Sequence, residues 1–333
     1  MLRIPSVELP QEYPHPEAIN SFKDNKHSYE PEFWELQYHI SRYLEGVSEL
    51  ALMERYQEII RNMHTLISKE RNIIPIQSFL SSWYWFRKEH QTRLEFFLRE
   101  IEVPCTIPNN SDFQNKDEMK PVRAKYPNAG DVLFRYGEID HITDAFKKGR
   151  FLIRPASQFD ALKEDSARND DETSKYSYMA GNSTKITTQD GVKIPVIGDI
   201  KRTNSMPDYY MLCVSSDWDD KMFSDFKADA CLVIKDVDLF SHKLEKASLE
   251  LFPKWFYHHN PIDYFDPYEK VKNERIDAGM SKDFKFAYQR EYRFIWAPPP
   301  EENPDEIKFL EIGNLEDISV IYTANEIKNH AKL

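Results

Sequence analysis

Apolar residues recur at helical spacing through the first third of the chain, then give way to short strand-like runs. Leu36, Ile40, Tyr43, Leu44 and Val47 fall at three- and four-residue intervals, which places them on one helix face. Leu52, Tyr56, Ile59, Ile60, Met63 and Ile67 repeat the pattern. After Pro75 so do Phe79, Trp83, Phe86, Leu94, Phe97, Leu98 and Ile101. Three amphipathic helices are predicted over about residues 31–103, packed as a small bundle, with Gly46 breaking the first from the second. Ahead of them, residues 1–30 carry Pro5, Pro10, Pro14, Pro16 and the polar run Asp24-Asn25-Lys26-His27, and read as an extended arm.

Residues 104–130 read as a linker. They hold Pro104, Pro108, Asn109-Asn110-Ser111-Asp112 and Pro127-Asn128-Ala129-Gly130. A strand is predicted at Val132–Tyr136, a short helix from Asp140 to Lys148 closed by Gly149, and a second strand at Arg150–Arg154. Residues 160–208 form a polar excursion, with a hairpin predicted at Lys185–Ile197 around Asp190-Gly191. Further strands are predicted at Tyr209–Ser215, Ala230–Lys235, Gln289–Trp296, Ile307–Ile312 and Ser319–Tyr322. This segregation predicts an α+β protein: an N-terminal helical domain, 31–103, and a C-terminal domain, 131–333, built on a mixed or antiparallel sheet.

Ala287–Trp296 carries the most chemistry. It is rich in aromatic and β-branched residues and is followed by Pro298-Pro299-Pro300, so it is predicted to be a strand throughout. Alternation would put Gln289, Glu291 and Arg293 on one face and Tyr292, Phe294 and Trp296 on the other, against the core. A glutamate fixed on a strand, with an amide two residues before it, can position and polarise a sugar hydroxyl.

Composition narrows the setting. The chain has 333 residues, enough for two domains, with 41% hydrophobic, 30% charged and 14% aromatic residues. Its net charge of −12 disfavours non-specific adhesion to nucleic acid or to an anionic membrane. Cys105, Cys213 and Cys231 cannot all pair within one chain, and Cys213 and Cys231 lie in apolar runs, as core thiols do in a reducing compartment. Met1-Leu2-Arg3-Ile4-Pro5 has no signal-like apolar core, and no apolar run approaches the roughly 20 residues of a membrane span. A cytoplasmic location is expected, without a membrane partner.

Leu133-Phe134-Arg135-Tyr136, the short helix, and Gly149-Arg150-Phe151-Leu152-Ile153-Arg154-Pro155-Ala156-Ser157-Gln158-Phe159-Asp160 resemble a bacterial family of uncharacterised domains. That family has an "RY" strand, a helix, a glycine, a strand and a "P…F(N)D" turn, with an "E-x-E-Y-R" strand near its end. Here the last reads Gln289-Arg290-Glu291-Tyr292-Arg293. The order also resembles ADP-ribosyltransferases of the Arg–Ser–Glu type, over roughly residues 131–325. The serine element, usually Ser-Thr-Ser, is reduced here to Ser157.

The resemblance implies transfer of ADP-ribose from NAD⁺, as substrate, to a protein or nucleic-acid acceptor, in a toxin or phage-defence setting. Arg135 would hold the pyrophosphate or ribose through its planar fork of donors. Ser157 would hold Glu291 or the nicotinamide ribose. Glu291 would accept from the ribose 2′-hydroxyl and offset the developing cation. Gln289 would orient the acceptor. All converge only if they line one cleft. Each also has a plain structural reading: Arg135 or Glu291 in a salt bridge, Ser157 as a turn residue. Two other functions stay open, an interaction protein that binds a partner through the N-terminal helices, and NAD⁺ hydrolysis.

Other groups point to less. Asp165–Glu172 lacks calcium-loop spacing and reads as a solvated acidic loop. Adjacent His258 and His259 point apart in regular structure, so no metal is expected. Trp83-Tyr84-Trp85-Phe86 reads as core.

Overall fold

The computed structural model describes residues 30–66, 82–104, 131–159, 170–181, 184–219, 221–269 and 276–324. The arm over 1–29, the apolar positions Ile67 and Phe79, Cys105 and the linker over 105–130 lie outside the described residues.

Three helices precede the sheet: α1 (Pro31–Ser41), α2 (Glu49–Leu66) and α3 (Ser82–Leu98). The first helix stops at Ser41, short of the predicted face, so Tyr43, Leu44 and Val47 fall in the turn before α2, yet they meet Leu52 and Tyr56 of α2 and Leu94 and Phe96 of α3 in a common core. Gly46 lies in the turn between α1 and α2, where a Cβ would strike the Asp199 carboxylate. Tyr84 and Trp85 are buried, with Trp85 stacked on Phe284 at a centroid distance of 5.8 Å. The bundle docks on the rest of the chain through buried ion pairs. Arg55 makes a bidentate pair with Asp266 at 2.8 and 2.7 Å, Lys88 bonds Asp266 and Glu269, and Arg87 pairs with Glu269 at 2.6 Å.

The main sheet has eight strands, all antiparallel to their neighbours: β1 (Leu133–Gly137), β2 (Arg150–Pro155), β7 (Tyr210–Ser215), β8 (Ala230–Ile234), β9 (Phe256–Pro261), β12 (Glu291–Ala297), β13 (Lys308–Glu311) and β14 (Ser319–Thr323). With the helices this makes an α+β fold. Helix α4 (Ile139–Lys148) joins β1 to β2. Asp229 receives a bond from the Ile139 amide at its start, and Gly149 ends it in the left-handed region at φ 65°. A Cβ at Gly149 would come within 2.0 Å of the Gly313 carbonyl oxygen, so glycine is required there twice over.

Strand β7 organises the sheet. Along one edge it pairs with β12 over its whole length, from Tyr210↔Trp296 to Ser215↔Glu291. Its other edge is shared. β2 pairs with its first residues, Pro155↔Tyr210 and Arg154↔Met211, and β1 reaches only its last, Phe134↔Ser215. Between these points the sheet is split.

One face of the sheet carries Tyr210, Leu212, Val214, Tyr292, Phe294 and Trp296, covered by α4 and by α6 (Val237–Leu251), whose Phe240 and Leu244 enter the same core. The other face carries Phe134, Tyr136, Cys231 and Val233, packed against Trp218, Phe286 and Tyr288. The predicted alternation in Tyr292, Phe294 and Trp296 holds.

Two predictions need correction. The segment Ala287–Arg290 is not strand: Phe284–Gln289 is a 3₁₀ helix, Arg290 turns the chain at φ 47°, and β12 begins only at Glu291. Ser215 and Ser216 take the carbonyls of Gln289 and Arg290, so these residues serve a corner rather than a ladder. The polar excursion is also ordered into ladders, β3 (Ser174–Met179) with β6 (Ile200–Ser205), which enclose the expected hairpin of β4 (Ile186–Thr187) and β5 (Lys193–Ile194).

Strands β10 (Asp263–Phe265) and β11 (Ser281–Asp283) form a short parallel pair beside the corner, and α5 (Lys221–Asp225) follows β7.

Candidate functional site

The split between β1 and β2 opens a cavity of about 760 Å³, within the usual range for a small-molecule site. The β7 segment Met211–Ser215 forms its floor, and Arg135, Gln289 and Glu291 are among its lining residues. So three of the four residues singled out in the sequence reach one cavity, although they come from distant parts of the chain.

At the inner end the acids and bases interlock. Glu291 accepts from Arg293 Nε at 2.5 Å through Oε1 and from Lys282 Nζ at 2.9 Å through Oε2. Glu172 pairs with Arg293 Nη2 at 2.6 Å, with Lys175 at 3.2 Å and with Lys282 at 3.4 Å. Arg293 also donates to the Gly279 carbonyl at 2.7 Å. Gln289 accepts from Lys282 at 3.3 Å through Oε1 and donates to the Tyr288 hydroxyl at 3.2 Å. None of Glu172, Lys282, Gln289, Glu291 and Arg293 is more than 6% exposed.

Burial alone would raise the Glu291 carboxyl. Arg293 and Lys282 more than offset it and hold that carboxyl well below the usual range. Burial likewise opposes ionisation of Glu172, which Arg293, Lys282 and Lys175 drive downward. Lys282 and Arg293 are held charged by the same carboxylates against their own desolvation. Both acids are thus ionised near neutral pH and act as hydrogen-bond acceptors, not as proton donors.

Position in the pleat separates the candidates. Glu291 lies opposite Ser215, and Ser215 lies opposite Phe134, so these three share a face. Arg135, next along β1, pairs with Leu232 of the opposite core and belongs to the other face. It reaches the cavity through the split, where its Nη1 donates to the Cys213 carbonyl at 2.8 Å. Its nearest task is therefore to close the β7 edge. Ser157 is not among the cavity residues: it is exposed, and its backbone amide and Oγ both bond Asp208, at 3.0 and 2.5 Å.

Three residues at the site had no strong sequence signal. Glu172 stands at the end of an acidic run that reads as solvated, yet it is 2% exposed. Lys282 comes from the short strand β11. Ser215, the last residue of a correctly predicted strand, lines the cavity beside Glu291, with its Oγ 2.7 Å from the Gln289 and Asp217 carbonyls. Only its position at the end of an apolar strand marked it.

Cys231 is fully buried and Cys213 partly so, and burial pushes both thiols up, as expected of packed rather than reactive sulfur. His259 bonds the Tyr292 hydroxyl at 2.7 Å. Among the described residues no group of three or more His, Cys, Asp or Glu is placed to hold a metal, and no helix is long and apolar enough to cross a membrane. Comparisons with family models, with curated proteins and with solved structures gave no match to this chain.

Proposed function

We propose that the split-sheet cavity binds NAD⁺ and that the protein transfers ADP-ribose from it to a macromolecular acceptor. The observation that carries this reading is the arrival of Glu291 and Gln289 in one cavity of about 760 Å³, with Glu291 ionised and rigidly held. Breaking the nicotinamide–ribose bond builds positive charge on the ribose. A fixed carboxylate that accepts from the 2′-hydroxyl is a preorganised partner for that charge. Gln289, fixed by Lys282 and Tyr288, presents an amide beside it. With water in place of the acceptor, the same site would hydrolyse NAD⁺. The expected fold is the transferase type suggested by the Gln289-Arg290-Glu291-Tyr292-Arg293 element.

A second reading has its own support. Both oxygens of Glu291 already accept from cations, which dilutes the charge available to a ribosyl cation. A non-catalytic cleft that binds a nucleotide or a protein partner would look the same. Incubation with NAD⁺ labelled in its adenylate half, with and without cell lysate, separates the two. Label transferred to a protease- or nuclease-sensitive product supports transfer, and released nicotinamide without transfer supports hydrolysis. Binding with neither would leave the binding role.

A further inference from the structure

Strand β2 leaves β7 after a two-residue ladder, and its outward side chains remain on the face that holds Glu291. Arg154 pairs with Met211, which pairs with Ile295, on the same face of β12 as Arg293 and Glu291. By alternation Arg150, Leu152 and Arg154 share that face, and all three line the cavity. Had the β2–β7 ladder continued, Arg150 would have come opposite Ser215. Phe134 of β1 takes that place instead. Arg150 therefore stands on the far wall, across the split from Ser215 and Glu291.

Beside it is Phe309 of β13, paired with Leu152 and 45% exposed at the cavity rim. The Arg150 guanidinium lies 4.0 Å from the centre of that ring. A guanidinium held over an aromatic ring is attracted to the ring face and keeps N–H donors for a further partner. Among the described residues the Arg150 guanidinium makes no hydrogen bond or ion pair. Two carboxylates are near: Glu311 lies opposite it in the ladder, and Asp144 is lowered in part by its charge. A half-exposed aromatic ring with a guanidinium beside it suits one ligand chemistry, a phosphate next to a flat base.

We propose that Arg150 and Phe309 form a nucleotide-binding wall, Arg150 taking a phosphate and Phe309 the base, with Leu152 beneath the sugar. This rests on the NAD⁺ reading for the identity of the ligand. It assigns phosphate recognition to the wall facing Glu291 rather than to Arg135. An NAD⁺ molecule would then span the split, with its adenylate half on β2 and β13 and its nicotinamide ribose at Glu291.

The test is calorimetric titration of the full chain with NAD⁺, ADP and nicotinamide riboside, which lacks the adenylate half. It compares wild type with Arg150→Gln, Phe309→Leu and Glu291→Gln, all confirmed folded by thermal melting. Arg150→Gln and Phe309→Leu should each weaken ADP and NAD⁺ binding on the order of tenfold and leave nicotinamide riboside unchanged. Glu291→Gln should leave ADP binding intact. If both wall variants bind ADP as wild type does, the wall is refuted while the NAD⁺ reading survives. If wild type binds ADP in an Arg150-dependent way but not NAD⁺, the wall stands and the NAD⁺ reading falls. No binding of any of the three overturns both.

Discussion

Ser215 and Glu291 lie directly opposite each other where β7 ends and β12 begins at the cavity floor, and the Ser215 hydroxyl lies 2.7 Å from the carbonyl of Gln289. The hydroxyl thereby ties the corner before Glu291 to the strand beside it. Ser215→Ala should cost about 1 to 3 kcal/mol, because the buried carbonyl loses a donor. Chemical denaturation would measure that loss. Unchanged stability would mean that the corner is held by Ser216 alone.

Glu291→Gln should reduce nicotinamide release from NAD⁺ on the order of 10²-fold or more, for transfer and hydrolysis alike. Gln289→Ala should lower transfer to an acceptor and spare hydrolysis. Removing the Glu291 charge also leaves Arg293 and Lys282 facing Glu172 alone, which should cost roughly 3 to 5 kcal/mol. Rates are therefore compared below the melting temperature of the weakest variant. Wild-type turnover by Glu291→Gln would falsify the role given to that carboxylate.

Asp283 should give stability an unusual pH dependence. It caps the 3₁₀ helix through the Lys285 amide, and burial, only partly offset by Lys285, raises its carboxyl from 3.8 to about 6. Between those values the folded state holds a proton that the unfolded state has lost. This group's contribution therefore falls as pH rises through that window, by on the order of 3 kcal/mol. Asp283→Asn keeps the size and the acceptor oxygen. Relative to wild type it should be more stable at pH 7 than at pH 4, which melts at the two pH values would report.

Asp266 and Glu269 act in the opposite direction. Burial opposes their ionisation, but Arg55 and Lys88 hold Asp266 far below its usual range, while Lys88 and Arg87 lower Glu269 to about 2. Their contribution is full above the unfolded carboxylate range and is lost as pH falls below it. Asp266→Asn should cost roughly 3 to 5 kcal/mol at pH 7, since Arg55 and Lys88 lose a buried counter-charge. The deficit should shrink in acid, where the unfolded wild type takes up a proton that the folded Asp266 carboxylate resists. A deficit independent of pH would show that shape, not charge, holds the joint.

What the sequence could reveal followed from periodicity. Leu52, Tyr56 and Ile59 announce a helix face, Tyr292, Phe294 and Trp296 a strand face, and Gly149 a helix end, because each signal is local. The corner at Arg290 was hidden because its aromatic neighbours favour strands, whereas the bonds from Ser215 and Ser216 that fix it come from far along the chain. Glu172 looked solvated because two of its three counter-ions, Arg293 and Lys282, are more than a hundred residues away in sequence. The separation of Arg135 from Glu291 across the pleat depends on which strands share the β7 edge, and no local pattern encodes that.

The joint between Arg55 and Asp266 spans 211 residues of chain. Helices α1 to α3 are synthesised first, but Asp266, Glu269 and Phe284, which neutralise and cover them, leave the ribosome much later. Until then Arg55 and Lys88 have no acid in place, and Trp85 has no ring to stack on. The helical segment must wait, partly assembled, for most of translation, and its final closure belongs to the last stage of folding. A chain interrupted before Asp266 would carry those helices without their cover, as a substrate for chaperones and proteases rather than as a finished unit.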